Sequence, residues 1–245
     1  SRVAVKIRLI ARGSIPVKAE NAGASGKILK GGVPATTLIA DSVYQFDYEI
    51  KLNDSESLTE PYWMKAMPRN NTYQYDSAYG GIPEAVNELN MVVRLHIGGA
   101  DFRLPVPLSY KKTDPVKGDV IQRLRIVPKV SIEPNNNLFI YQKGAAGTVT
   151  LHLKVFEDIA TSSLAVYANQ TQIETVALPE LKRGLDTFIS IDVPTDKLSG
   201  KPEQDILAFA VEAGGHNYSR EIHLIDYPHI PELHYFTNAR MKAIP

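Results

Sequence analysis

Histidine is the one ionisable residue type with a local concentration in this sequence. Of six, His216, His223, His229 and His234 fall within nineteen residues, around Asp226. Three imidazoles and a carboxylate make a complete ligand set for zinc. The spacing works against that use. No two of the four stand two or four residues apart, the intervals that align side chains on a strand or a helix. His223 alternates with Ile222 and Leu224, so the pattern predicts those two facing inward and His223 facing solvent. His229 follows Pro228 in irregular chain. These are read as surface and packing histidines, with no metal site predicted. A small metal-dependent hydrolase is an alternative that needs His223, His229 and Asp226 to line one pocket.

Other reactive patterns are scarce. There is no cysteine, which removes a thiolate nucleophile, a thiolate zinc site and a disulfide framework. No Gly-x-Ser-x-Gly elbow occurs. Gly23-Ala24-Ser25-Gly26-Lys27 has a phosphate-loop composition but lacks the spacing of that motif, and no helix pattern follows it; a turn is predicted. The acidic residues scatter evenly and single out no catalytic pair.

Aromatic residues give the second candidate. Tyr62 and Trp63, after Pro61, are followed by Tyr73, Tyr75 and Tyr79 in polar, loop-like surroundings. Exposed aromatic faces stack on sugar rings, so Tyr62, Trp63, Tyr73 and Tyr75 are the binding candidates and a glycan is the ligand they would take. The competing reading places Trp63, the only tryptophan, in the core of the first domain or at a domain interface.

The elements that must position these residues are strands. Val3, Val5, Ile7 and Leu9 alternate with Ala4, Lys6 and Arg8, and the same period recurs from Phe46 to Leu52, Met91 to Ile97, Val149 to Val155 and Leu207 to Ala213. Period two with one apolar face is the mark of an antiparallel sheet covered on one side. Gly, Pro, Asn and Asp clusters separate the runs. Helix signals reach only one or two turns, at Pro83–Glu88 and Pro179–Lys182. The predicted fold is all-β: two tandem antiparallel β-sandwich domains, residues 1–126 with a long loop region at 53–88, and residues 127–245, immunoglobulin-like with a C-terminal tail. Pro105 and Pro107 lie on one side of a strand and cannot donate ladder hydrogen bonds, which predicts a sheet edge or a bulged crossover.

Charge and hydropathy narrow the partners. Twenty-seven basic and 27 acidic residues cancel, so neither nucleic acid nor a polybasic membrane surface is indicated. No apolar run approaches the ~20 residues of a membrane-spanning helix. The chain opens on Ser1-Arg2 and ends on Ile244-Pro245 after a stretch that reads as a connection, so the expectation is a piece of a longer protein.

Four segments occur in a telling order: Pro61-Tyr62-Trp63-Met64, then Leu104-Pro105-Val106-Pro107-Leu108-Ser109-Tyr110, then Asp114-Pro115-Val116-Lys117-Gly118-Asp119, and last Ile225-Asp226-Tyr227-Pro228-His229-Ile230-Pro231. Together they resemble the region that follows the catalytic domain in large bacterial PIG-L (LmbE-like) deacetylases, and the resemblance covers nearly the whole chain. The second half also resembles the immunoglobulin-like module called NEW3, found beside carbohydrate-active enzymes. Asp119 stands where the family has Glu, and Glu232-Leu233 stands where it has Gln.

The resemblance implies a parent enzyme with a zinc-dependent N-deacetylase domain for N-acetylglucosamine-type substrates, periplasmic or exported. That domain's His-Pro-Asp-Asp motif is not in this sequence, so no catalytic residue and no cofactor carries over. The motif positions Asp114, Gly118, Tyr227 and His229 carry over without an assigned role. The expected partner is the rest of the same polypeptide.

Overall fold

A computed structural model describes residues 2–52, 57–66, 69–74, 76–82, 89–116, 118–201, 205–227, 229–230 and 232–245, with Asn21 and Ala22 as backbone. Strand accounts for 61% and helix for 4%, so the chain is all-β, built of several antiparallel sheets of which none is closed. The short apolar–polar alternations lack the length of a 3.6-residue pattern and prevail throughout. Pro179–Lys182 is no helix; Leu181 forms a bridge to Ile159 instead. The other helix expectation, at 83–88, lies outside the described residues.

Two compact units are present, and they do not follow chain order. Ser1–Thr59 joins Val86–Ile126 in one, and Glu60–Ala85 joins Val127–Pro245 in the other. Of the stretch 53–88, the described residues 57–59 fall in the first unit and 60–66, 69–74 and 76–82 in the second.

In the first unit the strands are β1 (Arg2–Ile10), β2 (Val17–Ala24), β3 (Lys27–Gly31), β4 (Thr36–Leu38), β5 (Val43–Lys51), β6 (Asn90–Ile97), β7 (Ala100–Pro107), β8 (Ser109–Asp114) and β9 (Gly118–Arg123). They form the sheets β1-β5-β3 and β4-β2-β6-β7 and the hairpin β8-β9. Register sets Val3 opposite Ile50, Val5 opposite Tyr48 and Ile7 opposite Phe46, so the apolar sets of β1 and β5 share a face. Ile7, Tyr48 and Ile50 from that sheet and Ala19, Met91 and Val93 from the other form the core. Gly31 sits beside a register shift in β3 at φ +87°; a Cβ there would lie 1.9 Å from the Asp47 carbonyl oxygen, so only glycine fits. β7 is the outermost strand of its sheet, the place its prolines require.

The second unit contains β10 (Val130–Pro134), β11 (Leu138–Ile140), β12 (Gly147–Val155), β13 (Ser162–Ala168), β14 (Thr171–Leu178), β15 (Asp186–Val193), β16 (Asp205–Ala213), β17 (His216–Tyr218), β18 (Arg220–Ile225), β19 (Leu233–Asn238) and β20 (Arg240–Ile244). One sheet runs β10-β12-β15, the other β11-β20-β16-β13-β14 with β17 on β16. Ile132, Leu151 and Leu153 from the first and Leu164, Val166, Leu207 and Phe209 from the second share one buried core, a sandwich-like arrangement. β18 and β19 make a two-stranded ribbon. The Ser131 hydroxyl, on β10, accepts a hydrogen bond from the Ile222 amide at 3.0 Å and seats β18 beside β10.

The C-terminal residues are no connection. β20 pairs in parallel with β11 and antiparallel with β16, and Met241 and Ala243 are buried in the core. Their alternation with Arg240 and Lys242 spans only five residues, too short to stand out in the sequence.

Candidate functional site

Tyr62 and Trp63 occupy a single 3-10 turn, Tyr62–Met64, after a buried Pro61. Both rings are half-buried. Their centroids are 4.9 Å apart at 87°, an edge-to-face pair, and Tyr79 lies 5.8 Å from Tyr62 at 45°. Tyr73 is 49% exposed, and Tyr75 lies outside the described residues. Burial pushes the adjacent Glu60 carboxyl up, against the opposing pull of a hydrogen bond from the Phe236 backbone and the charges of Arg220 and Lys65. Glu60 thus lies beside Arg220 of β18 and Phe236 of β19. Perpendicular rings pack against each other well but present no common plane to a sugar. Because Trp63 is the only tryptophan, its fluorescence reports this turn alone. Titration with chitin and xylan oligosaccharides is expected to leave the emission unchanged; a saturable change that Trp63→Ala abolishes would establish a glycan platform.

The motif positions fall in turns. The Asp114 carboxylate accepts the Val116 amide at 2.8 Å, and Gly118 has φ +75°, so this pair builds the tight connection between β8 and β9. Asp119 accepts the Thr113 hydroxyl at 3.0 Å and pairs with Lys111; the hydrogen bonds from Lys111 and Thr113 hold its carboxyl below the usual range. Tyr227 and His229 lie in the exposed link between β18 and β19, with rings stacked 6.0 Å apart, and the Ile230 amide donates to the Tyr227 carbonyl at 3.2 Å.

The histidines do not converge. His223 is half-buried rather than solvent-facing: its Nε2 lies 2.7 Å from the Thr237 hydroxyl and 3.1 Å from Glu221, and its ring stacks on Tyr235 at 4.6 Å. Leu224 is instead 55% exposed, because a two-stranded ribbon has no core to cover both neighbours of His223. Burial pushes the Glu221 carboxyl up, and the negative charge of Glu133 adds to this against the pull of His223. Among the described residues, no group of three His, Asp or Glu side chains is placed to hold a metal ion.

A polar constellation with almost no signature in local sequence lies on the outer face of β10, β12 and β15. Register sets His152 opposite Glu133 on one side and Phe188 on the other. The imidazole stacks on Phe188 with centroids 4.4 Å apart at 14°. Its Nδ1 lies 3.5 Å from Glu133, and its Nε2 makes a short contact with Asp186, whose carboxyl that bond holds below the usual range. Thr150 and Ser190 pair their hydroxyls at 3.2 Å one step along the same face. A serine, a histidine and an aspartate are thus close together. A histidine general base, however, turns one nitrogen to a carboxylate and leaves the other for the nucleophile. Here both nitrogens face carboxylates, and the hydroxyls bond each other. The only advance sign was the polar row Thr148, Thr150, His152, Lys154; the partners come from strands far away in sequence.

No family model matches the chain, and no curated protein matches it.

Proposed function

We propose that the chain is the non-catalytic accessory region of a PIG-L-type (LmbE-like) N-deacetylase acting on N-acetylglucosamine-type substrates. In this reading it comprises two tandem β-sandwiches, the second immunoglobulin-like and akin to NEW3. It positions the catalytic domain or extends its substrate surface, and its partner is the rest of its own polypeptide, in the periplasm or exported. The supporting observation is what the motif residues do. Asp114 and Gly118 shape a hairpin turn, Asp119 braces the flanking strands, and Tyr227 shapes the link between β18 and β19. The Asp114 and Asp119 carboxylates and the Tyr227 backbone carbonyl are used inside the fold. The two nitrogens of His152, both turned to carboxylates, point the same way. Zinc in this family belongs to the catalytic domain.

The test is acetate release. The 245-residue chain, incubated with Zn²⁺ and N-acetylglucosamine oligomers, is expected to release none above a protein-free control. Zinc-dependent release that chelation removes would overturn the reading.

A further inference from the structure

Strand β7 has a free edge with a pairing code of its own. All eight residues are exposed or half-buried, and among the described residues β6 is its only strand partner. Which backbone groups face outward follows from β6. The Asn90 carbonyl accepts the Ser25 amide at 2.8 Å, on the β2 side, so even-numbered β6 residues bond β2 and odd-numbered ones bond β7. With Val93 opposite Leu104 and Leu95 opposite Phe102, the even residues of β7 bond β6. The amides and carbonyls of Asp101 and Arg103 therefore point away from the sheet. Pro105 and Pro107 fall in the same outward row, where they lack an N–H to offer. The prolines close the edge beyond residue 104 and leave a window of five residues, Ala100–Leu104.

That window is self-complementary. Antiparallel pairing with a second copy centred on Phe102 sets Asp101 opposite Arg103 of the other copy on both sides of the two-fold axis. Both are outward-facing residues, so the two pairs exchange four backbone hydrogen bonds. Shifting the register by two sets Arg103 against Arg103 or Asp101 against Asp101, which like charge disfavours. Within one chain Arg103 stands opposite Arg94, which is neutralised by Glu20 at 2.9 Å, and Arg103 has no ion-pair partner among the described residues. Asp101 contacts His96 through Oδ1 at 3.1 Å, which leaves Oδ2 open. On the other face Phe102 and Leu104 point to the core side of the sheet yet remain 51% and 45% exposed. The same pairing brings Phe102 onto Phe102 and Leu104 onto Ala100.

We propose that the chain forms a two-fold symmetric dimer by antiparallel pairing of Ala100–Leu104 with the same segment of a second copy. Five paired residues a side fall well short of the roughly 20–30 of a stable interface, so a dissociation constant of about 10–100 μM is expected. Sedimentation velocity of the full chain, from about 1 to 300 μM, reads it. Wild type is expected to shift from monomer to dimer across that range. Arg103→Asp and Asp101→Arg, both at exposed positions, should each weaken association at least about tenfold. The double exchange Asp101→Arg/Arg103→Asp recreates both ion pairs and should restore it. Arg103→Pro, which deletes an outward N–H, should abolish it. A wild type that stays monomeric throughout, or a dimer that neither single reversal weakens, or one that the double exchange fails to restore, overturns the proposal.

Discussion

Replacing Asp205 by alanine is expected to lower the stability of the second unit by about 4 kcal/mol. Asp205 is 2% exposed and stands at the start of β16. Its carboxylate accepts the Tyr141 hydroxyl at 3.0 Å, the Asn169 amide group at 2.9 Å, and the Ser199 amide and hydroxyl at 2.9 and 2.8 Å. Three separate parts of the chain, at Tyr141, Asn169 and Ser199, meet on one side chain. Alanine leaves the buried Tyr141 hydroxyl without its acceptor, at about 1–3 kcal/mol, unties Asn169 and Ser199 from β16, and opens a cavity. Urea unfolding followed by circular dichroism should show the midpoint falling with the slope unchanged.

The pH dependence of the same carboxyl has a definite sign. Burial alone raises it, and the hydrogen bonds from Ser199, Tyr141 and Asn169 outweigh burial and hold it below the usual range. A depressed folded-state value stabilises above the unfolded value of about 3.9. That contribution is lost as pH falls from there through the folded value. Wild type should lose more stability below about pH 4 than the Asp205→Asn variant does. Equal acid sensitivity in the two proteins would remove Asp205 as the hub.

Phe209→Ala carries the second large effect, a loss of about 4 kcal/mol. The side chain is wholly buried between the two sheets of the second unit, and β16 is held on both sides by β13 and β20. The Phe209 amide donates to the Ala239 carbonyl at 3.0 Å, which fixes the backbone and limits collapse around a truncated side chain. Phe209→Leu keeps most of the volume and should cost less than about 1.5 kcal/mol. The gap between the variants, read from urea midpoints, measures the packing. Equal costs would mean that the site relaxes freely and that the two sheets do not share a tight core.

Strands were legible wherever one face was apolar over at least four alternations. Val149 to Val155 reads cleanly because Val149, Leu151, Leu153 and Val155 all point into one core. The edge position of β7 was legible for a different reason, since proline has no N–H wherever it stands. β19 and β20 were not. They are six and five residues long, and they depend on partners distant in sequence, as when Lys242 pairs with Leu138. The turn around Trp63 shows the same limit: its apolar residues advertise burial, but nothing local says which unit they bury against. The His152 constellation was invisible because register, not sequence spacing, assembles it. Asp186 comes 34 residues after His152, and Glu133 nineteen before. The prediction that His223 faces solvent assumed a core on one side of β18, whereas the ribbon turns that ring onto Tyr235.

The accessory role is tested most directly by the gene that encodes the chain, read upstream of the codon for Ser1. The same reading frame is expected to encode a domain with a His-Pro-Asp-Asp segment and, further on, the histidine pair that completes a zinc site. An upstream domain in which these are missing, or a start codon directly before the codon for Ser1, would contradict the assignment.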